Sequence, residues 1–536
     1  MKYTKKNILF IAHEAAINGA GRSLLDLLGH VNAYINPVVV APIEGAMTDA
    51  LASLCIRFYA IPFIRDFRKI GKVKNYESEM NFADNYVAVQ EILKIVECER
   101  IDLIYSNSSV VNIGAITAIM RGIPHIWHLR EFMEEDLSWE YVDKSLKYEL
   151  FSSTNLFISV SKCINIKYQK EYKLLSECIY DAIEYEKYEN VVKNNGFDDS
   201  QLINIMISGI VKEEKGQIDA IKALEILLLK GISYIRLIIV GHGCELYLWE
   251  LKQYINERKM NNYITIMPYQ NDLKSIRELC SISLTCSRME ALGRVSVEAM
   301  LAGLIVIGAD TGGTLELIGE KEERGYLYRE GDAEDLAEKI QMVLLESRTT
   351  IKEKLIRAQE FARTYFDSDS YASRIYELIN KCIFEYQITD QILRLRNELT
   401  KRYNDWNRNG PNYAESWIGD KDRGKSLGGY LEKKNILRVA IYGIGFWGKM
   451  LYEALLDSGI EVVCVIDRSF AKNKITSRLI KLDAPSDVLN TVDAIIIAMK
   501  VEAEDMKKRL QVNYFCEVFT LAELISLTMG GKSKEL

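Results

Sequence analysis

No two of the ten cysteines are spaced C-x-x-C, and the five histidines form no ligand cluster. Scattered thiols argue against a disulfide framework and a structural zinc site, and they suit a reducing compartment. His125 and His128 are the only close histidine pair, and no cysteine or carboxylate completes a metal set around them, so no metal is expected. The net charge of −7 lacks the basic excess that general nucleic-acid binding needs, so no nucleic-acid partner is expected. No apolar run reaches the length of a membrane span; the longest, around Leu301 to Ala309, falls far short and contains Gly303 and Gly308. The basic and then apolar "MKYTKKNILFIAHEAA" at the start has too short an apolar core for a signal peptide and reads as a first buried strand. Short-period repeats of the solenoid kind are absent as well.

What is present is a 536-residue globular composition, 48% hydrophobic and 27% charged. Short apolar runs alternate with amphipathic stretches. "ILFIA" (8–12), "PVVVA" (37–41), "DLIYS" (102–106) and "NLFISV" (155–160) read as buried parallel strands. A second series follows in "INIMISG" (203–209), "IRLIIVG" (235–241), "YITIM" (263–267), "ISLTC" (282–286) and "LIVIG" (304–308). Parallel strands need helical crossovers, so two doubly wound α/β domains are expected. In such folds ligands bind beyond the carboxyl ends of the strands, and a cleft between the domains is the expected site. Residues 366–385 read as a closing helix. Ile388, Ile392, Leu395 and Leu399 form a short heptad pattern, consistent either with a helix packed on the second domain or with a dimerising coil through 388–406. The polar, Gly-rich "NRNGPNYAESWIGDKDRGKSLGG" after it reads as a linker.

The stretch "RMEALGRVSVEAMLAGLIVIG" (288–308) places a turn after a strand and before a helix. Such a turn presents backbone N–H groups where a diphosphate binds well. Gly293 allows close approach of the backbone, Arg294 and Val295 open the helix, and Glu290 can accept hydrogen bonds from sugar hydroxyls. Glu298, one turn beyond Arg294, can grip the vicinal hydroxyls of a ribose.

The segment "EALGRVSVEAMLAGLIVIGADTGGTLELI" resembles the E-x7-E motif and following glycine loop of family-4 retaining glycosyltransferases with the GT-B fold (glycosyl transferases group 1). The resemblance runs over about residues 5–385, through "INGAGRSLLDL", "HIWHLREF", "ISVSK", "ISGIVKEEKGQIDAIKAL", "VGHGCELYLWELKQYI" and "GYLYREGDAEDLAEKI". It implies two Rossmann-like domains facing a cleft: an acceptor-side domain at 1–185, onto which the closing helix packs back, and a nucleotide-sugar domain at 186–365. The implied activity is a retaining hexosyl transfer from a UDP- or GDP-sugar to a glycan or lipid-linked precursor of capsule, exopolysaccharide or O-antigen type. The implied mechanism is front-face, with the leaving phosphate taking the acceptor proton and no cofactor required. The implied catalytic residues are Lys215, Glu290 and His128. The implied donor contacts are Glu298, Gly293, Arg294 and Val295, the first glycine loop at Gly19 and Gly21, and Thr311, Gly312 and Gly313. A buried, hydrogen-bonded histidine is the alternative for His128. The family often carries an arginine where this chain has Ile210, and Arg294 or Lys212 could supply that charge. "DSD" (367–369) and "DKD" (420–422) imitate metal-binding pairs but read as helix caps or surface residues.

After a helix and linker at 386–434, a third unit at 435–536 opens with "LRVAIYGIGFWGKMLYEALLDSGIEVVCVIDRS". This is a strand, a G-x-G-x-x-G turn (Gly443, Gly445, Gly448), a helix, a strand and then Asp467. It resembles the small Rossmann-like modules appended to polysaccharide-biosynthesis enzymes, with NAD or another nucleotide as ligand or a purely structural role. Its length predicts about half a dinucleotide-binding fold. Two rival functions arise: an NAD-dependent oxidoreductase built on this unit, and a non-catalytic nucleotide-sugar-binding protein. "FIRDFRKIGKVK" (63–74) has Phe63, Phe67, Ile70 and Val73 at helical spacing beside Arg65, Arg68, Lys69, Lys72 and Lys74, which predicts peripheral contact with anionic lipid. The expected location is the cytoplasm, at the inner face of the cell membrane.

Overall fold

The computed structural model describes residues 5–70, 77–185, 188, 202–270, 272–418 and 427–443. Toward the C-terminus it describes 448, 451–452, 455, 459–467, 479–481, 489–498, 506–508, 510–511, 516–520 and 523–524. The first half carries β1 (Asn7–Ile11), β2 (Asn36–Ala41), β3 (Arg57–Ala60), β4 (Arg68–Lys69), β5 (Leu103–Ser106), β6 (His125–Leu129), β7 (Trp139–Glu140), β8 (Leu156–Ser159) and β9 (Ser176–Cys178). The second carries β10 (Ile203–Ser208), β11 (Ile235–Val240), β12 (Ile264–Met267), β13 (Ile282–Thr285), β14 (Ile305–Ala309) and β15 (Tyr326–Tyr328). A third set is β16 (Arg438–Tyr442), β17 (Glu461–Asp467), β18 (Leu479–Lys481), β19 (Ala494–Ile497) and β20 (Glu517–Thr520).

Three parallel sheets result, in the orders β3-β2-β1-β5-β6-β8-β9, β12-β11-β10-β13-β14-β15 and β18-β17-β16-β19-β20. Each runs outward from its first strand in one direction and then in the other, the doubly wound pattern. Side-chain alternation explains why both faces must be covered. Leu9 and Ile11 enter one core and Ile8 and Phe10 the other. The apolar cluster holding Leu9 and Ile11 also holds Met206, Val297 and Val306 of the second half, so the halves share a core.

The cleft lies where the carboxyl ends of the first two sheets meet. The loop after β6 brings Asp136 to Lys215 after β10. Past β8, Ser161 Oγ donates to the Ala291 carbonyl at 2.5 Å. Glu316, in helix Gly312–Ile318, accepts from the first amides of helix Lys162–Tyr172, at 3.0 Å from Lys162 N and 3.3 Å from Cys163 N. The first turn of that helix is thereby satisfied by a carboxylate from the other half, as its orphan amides and dipole favour. Tyr180 O–H also donates to Glu316.

Helix Ser368–Glu385 lies against helix Gly19–Val31, with Tyr371, Ile375 and Ile379 packed among Leu24, Leu27 and Leu28. Asp367 caps it by accepting from Ser370 N at 2.7 Å. The helix after it, Asp390–Ile418, packs its apolar seam on the first half rather than the second. Ile392, Leu395, Leu399 and Tyr403 are buried there, Arg396 Nε donates to Ile119 O at 2.7 Å, and Tyr403 stacks on Tyr86. The seam read as a dimerising coil is therefore covered within the chain; Ile388 alone of the four heptad residues stays exposed. The helix also continues through Gly410 and Pro411, where the sequence reads as a linker. The continuation runs against local propensity, since an interior proline removes a helix hydrogen bond and costs about 3 kcal/mol. "DKD" lies outside the described residues.

The segment beginning at Phe63 is not an amphipathic helix over its described part. Phe63 is buried, Phe67 stacks on Trp139 with ring centroids 3.8 Å apart, and Arg68 and Lys69 form β4, antiparallel to β7. Arg68 Nε reaches Glu140 at 3.0 Å, and Arg65 Nη1 lies 3.3 Å from Glu14. Tertiary aromatic packing and ion pairing have outweighed the helical spacing of four apolar residues. Lys72, Val73 and Lys74 lie outside the described residues.

Truncating Leu399 should destabilise the first half by about 2–5 kcal/mol, because the space it fills is bounded by fixed helices. Urea unfolding of Leu399→Ala checks this, and light scattering should show its oligomeric state unchanged from wild type.

Candidate active site

The lysine loop takes its shape from a short turn past the end of β10. That turn, Glu213–Lys215, ends at Gly216, whose φ is +65° and whose added Cβ would stand 2.1 Å from the Cys286 carbonyl oxygen. Only glycine allows that approach. It lays the turn against the end of β13 and sets Lys215 Nζ 2.9 Å from Glu290 Oε2. Asp136 Oδ1 is 3.4 Å from the same ammonium, and Lys212 Nζ is 3.5 Å from that oxygen. Lys215, Lys212, Glu290 and Asp136 thus form one cluster drawn from both halves.

Burial opposes ionisation throughout this cluster, and pairing decides the outcome. For Lys215 the Glu290 and Asp136 charges outweigh burial and hold the ammonium above its ordinary range. Burial pushes Glu290 up, but the Lys215 charge, with hydrogen bonds from Ser287 and Lys215, brings it below the usual carboxylate range. Asp136 moves up, because burial and the Glu290 charge exceed what the two lysines return. Glu290 is the firmly ionised acid.

The glycine loop after β14 supports the Glu290 turn from behind. Gly313 N donates to the Glu290 carbonyl at 2.6 Å, and a Cβ on Gly312 would come within 2.4 Å of that oxygen. These glycines, expected as donor contacts, pack the turn in place. Thr311 caps the following helix and leaves a buried, unpartnered Oγ1. Gly293, at φ +86°, caps helix Arg294–Leu301, and the amides of Arg294 and Val295 open its first turn. Glu298, on that helix, is buried and paired with Arg277, whose guanidinium lies 5.1 Å from the Tyr188 ring centroid.

Arg294 does not join Lys215. Its Nη1 donates to the Ala182 carbonyl at 2.8 Å and its Nη2 to Asp26 at 3.0 Å, so it ties the two halves together. Lys212 is the candidate that stands with Lys215. Gly19 sits beside this strut, its Cβ position 4.0 Å from Arg294 Cδ. Gly21 is a packing glycine: a Cβ there would meet the Ala16 carbonyl at 2.9 Å, and its amide donates to the cap Asn18 at 2.9 Å.

His128, implied by the resemblance as a catalytic residue, is fully buried in β6, and the structure closes it off from the cleft. Tyr105 O–H donates to Nδ1 at 2.6 Å and Arg130 Nη2 at 3.0 Å. Arginine can only donate, so Nδ1 is the acceptor and the proton sits on Nε2, which is buried without a partner. Burial, with the Arg130 charge, holds its pKa well below the ordinary value. Sequence reasoning passed over the group beside it. Arg130 Nη1 meets both Asp181 oxygens at 2.7 Å, Nη2 meets Ser23 at 3.1 Å, and Nε meets Asn107 at 3.2 Å. A charged residue directly after a buried strand was the available signal. Asp136 had none, because "EEDLS" looks like a solvated acidic turn.

With this geometry in view, the family comparison is decisive for the second half: residues 187–363 match the model of glycosyl transferases group 1. Residues 187–363 form a group 1 glycosyltransferase domain. Among curated relatives, the chain is 25% identical over 235 residues to N-acetyl-alpha-D-glucosaminyl L-malate synthase of Bacillus anthracis, covering 44% of this chain and 58% of that protein. It is 29% identical over 133 residues to the GDP-mannose:cellobiosyl-diphosphopolyprenol alpha-mannosyltransferase of Xanthomonas oryzae pv. oryzae, covering 24% and 34%. The matched part is therefore less than two thirds of either relative's length. Among solved structures, Anabaena HepE in complex with UDP and glucose aligns with 70% of this chain and 100% of its own, at 20% identity and a TM-score of 0.57. Sucrose-phosphate synthase from Thermosynechococcus elongatus aligns with 71% and 100%, at 13% identity and a TM-score of 0.55. The fold is GT-B.

Within the glycosyltransferase domain, Ile210 is 47% exposed at the end of β10, so the departure from the family leaves an apolar side chain rather than a buried substitute. Outside it, the third sheet has five parallel strands among the described residues. Gly443, at φ +96°, donates to Ile466 O at 2.8 Å, and a Cβ on Gly448 would stand 1.8 Å from the Gly443 carbonyl oxygen. That is the close helix–strand packing expected of the third glycine. Asp467 closes β17; its side chain and all of Gly445 lie outside the described residues. No helix among the described residues is long and apolar enough to cross a membrane.

The Arg130–Asp181 pair gives a test of the architecture behind the site. Asp181 is raised by burial but lowered further by Arg130, His128 and Arg294, so its folded pKa lies below the ordinary value of about 3.9. Its contribution is whole above that value and is lost as pH falls through the folded pKa. Asp181→Asn, which strands a buried guanidinium, should cost about 3–5 kcal/mol at neutral pH. The gap from wild type should narrow in acid, as read by urea unfolding at a series of pH values.

Proposed function

We propose that the chain is a retaining hexosyltransferase that moves a sugar from a nucleoside-diphosphate donor to a glycan or lipid-linked precursor of a cell-envelope polysaccharide. The observation that carries this reading is the Lys215–Glu290 pair, with Lys212 beside it, at the carboxyl ends of β10 and β13 and facing the first half. Breaking the bond from anomeric carbon to phosphate leaves negative charge on the diphosphate, and preorganised cations in a partly dry site stabilise it. Lys215 and Lys212 take that role. Glu290, kept ionised, accepts from donor-sugar hydroxyls, and the first amides of helix Arg294–Leu301 meet the diphosphate. Glu298 takes the ribose hydroxyls, giving up its contact with Arg277 to do so. The leaving phosphate accepts the proton of the incoming hydroxyl, so no side-chain base is needed.

In this reading residues 1–185 are the acceptor side, 186–365 the donor side and 435–536 an appended nucleotide-binding unit for NAD or a related ligand. The nucleoside of the donor is uridine or guanosine: HepE was solved with UDP and glucose, and a curated relative is named for GDP-mannose. That relative's diphosphopolyprenol acceptor supports a lipid-linked acceptor here, met at the inner face of the membrane from the cytoplasm.

Release of UDP or GDP from a panel of sugar nucleotides, with the product anomer read by NMR, tests the assignment. Lys215→Ala should lower turnover about 10²–10³-fold. Lys212→Ala should follow it, while Glu298→Ala should raise the donor KM by an amount equivalent to about 1–3 kcal/mol. Full activity in Lys215→Ala, or no donor cleaved by wild type, would sink the reading.

A further inference from the structure

Asp136 belongs to the first half, yet its carboxylate stands between two ammonium groups of the second. Oδ1 lies 3.4 Å from Lys215 Nζ and 3.5 Å from Lys212 Nζ, and Oδ2 lies 3.5 Å from Lys215. Oδ1 is buried and has no hydrogen-bond partner among the described residues. Lys215 makes its short contact, 2.9 Å, with Glu290 instead. At these longer separations Asp136 acts as a through-space counter-ion and not as a well-formed hydrogen-bonded partner. The loop that presents it is held by side-chain and backbone contacts. Lys167 Nζ donates to Glu134 at 3.1 Å and to Glu135 at 2.7 Å, Ser138 N donates to Glu134 O at 3.1 Å, and Trp139 N donates to Met133 O at 2.9 Å. A fixed loop therefore delivers a poorly satisfied acid to the two cations that a diphosphate would need.

We propose that Asp136 is a resident counter-anion of the diphosphate subsite: it neutralises Lys212 and Lys215 while that subsite is free, and the incoming diphosphate displaces it. The inference rests on the reading of the cleft as a nucleoside-diphosphate-sugar site. A carboxylate left in place would face the phosphate as a like charge, so donor binding includes the work of separating Asp136 from the lysines. Because the acid and the lysines lie on opposite halves, the same contact draws the cleft together without a ligand. Asp136 is thus a positioning residue that sets donor affinity through the two lysines.

Calorimetric titration of the full chain with inorganic pyrophosphate, UDP and GDP tests this in wild type, Asp136→Asn and Asp136→Ser, each checked for folding by thermal melting. A folded variant should bind about ten-fold more tightly than wild type at low salt, with the advantage shrinking as salt rises. Loss of a merely structural residue would weaken binding, so tightening separates the two roles. If wild type binds and the folded variants bind equally or less well, Asp136 is not a competitor, and the donor reading survives. If neither wild type nor variants bind pyrophosphate or either nucleotide, the donor reading falls and takes this proposal with it.

Discussion

Arg130 is the side chain on which the geometry of the cleft depends. Its guanidinium joins the helix after β1 through Ser23, the end of β5 through Asn107, β6 through His128 and the segment leaving the first half through Asp181. Burying such a cation costs several kcal/mol unless nearly every donor is used, and here they are. The ends of three strands are thereby fixed to one another. Asp181 also lies 4.0 Å from Arg294, so the network continues into the second half. Arg294 completes the link through Asp26. The positions of Lys212 and Lys215 relative to the first half depend on this scaffold.

The same principle, charge held in place before any ligand arrives, governs the site. Lys215 and Glu290 satisfy each other in a partly dry cleft, so both stand in place without a ligand. Glu298, on the helix that follows, forms a second such pair with Arg277. For Lys215 and Glu290 the pairing keeps both groups ionised, a state that burial alone would oppose.

What the sequence made legible was whatever depends on local pattern. Buried strands such as 203–209 and 304–308 read clearly because parallel strands covered on both faces are continuous apolar runs. The Glu290 turn read clearly because strand, glycine and helix succeed one another within a few residues. The strand His125–Leu129 was missed because two histidines interrupt its apolar character, and only the fold shows that both are buried. The direction of Arg294 and the reach of Asp136 depend on residues more than a hundred and about eighty positions away, respectively. The heptad seam at 392–399 announced a helix and a buried face, but not which surface would bury it.

Glu316 carries a lesson about modularity. Because a carboxylate of one half completes the first turn of a helix in the other, neither half has a self-sufficient boundary. Recombining the halves of related chains, by nature or by an engineer, would keep each sheet and the Ser161 cap intact and still leave the amides of Lys162 and Cys163 without that acceptor unless the glutamate travelled with its recipient. Changing loops within one half disturbs this boundary less than swapping halves whole.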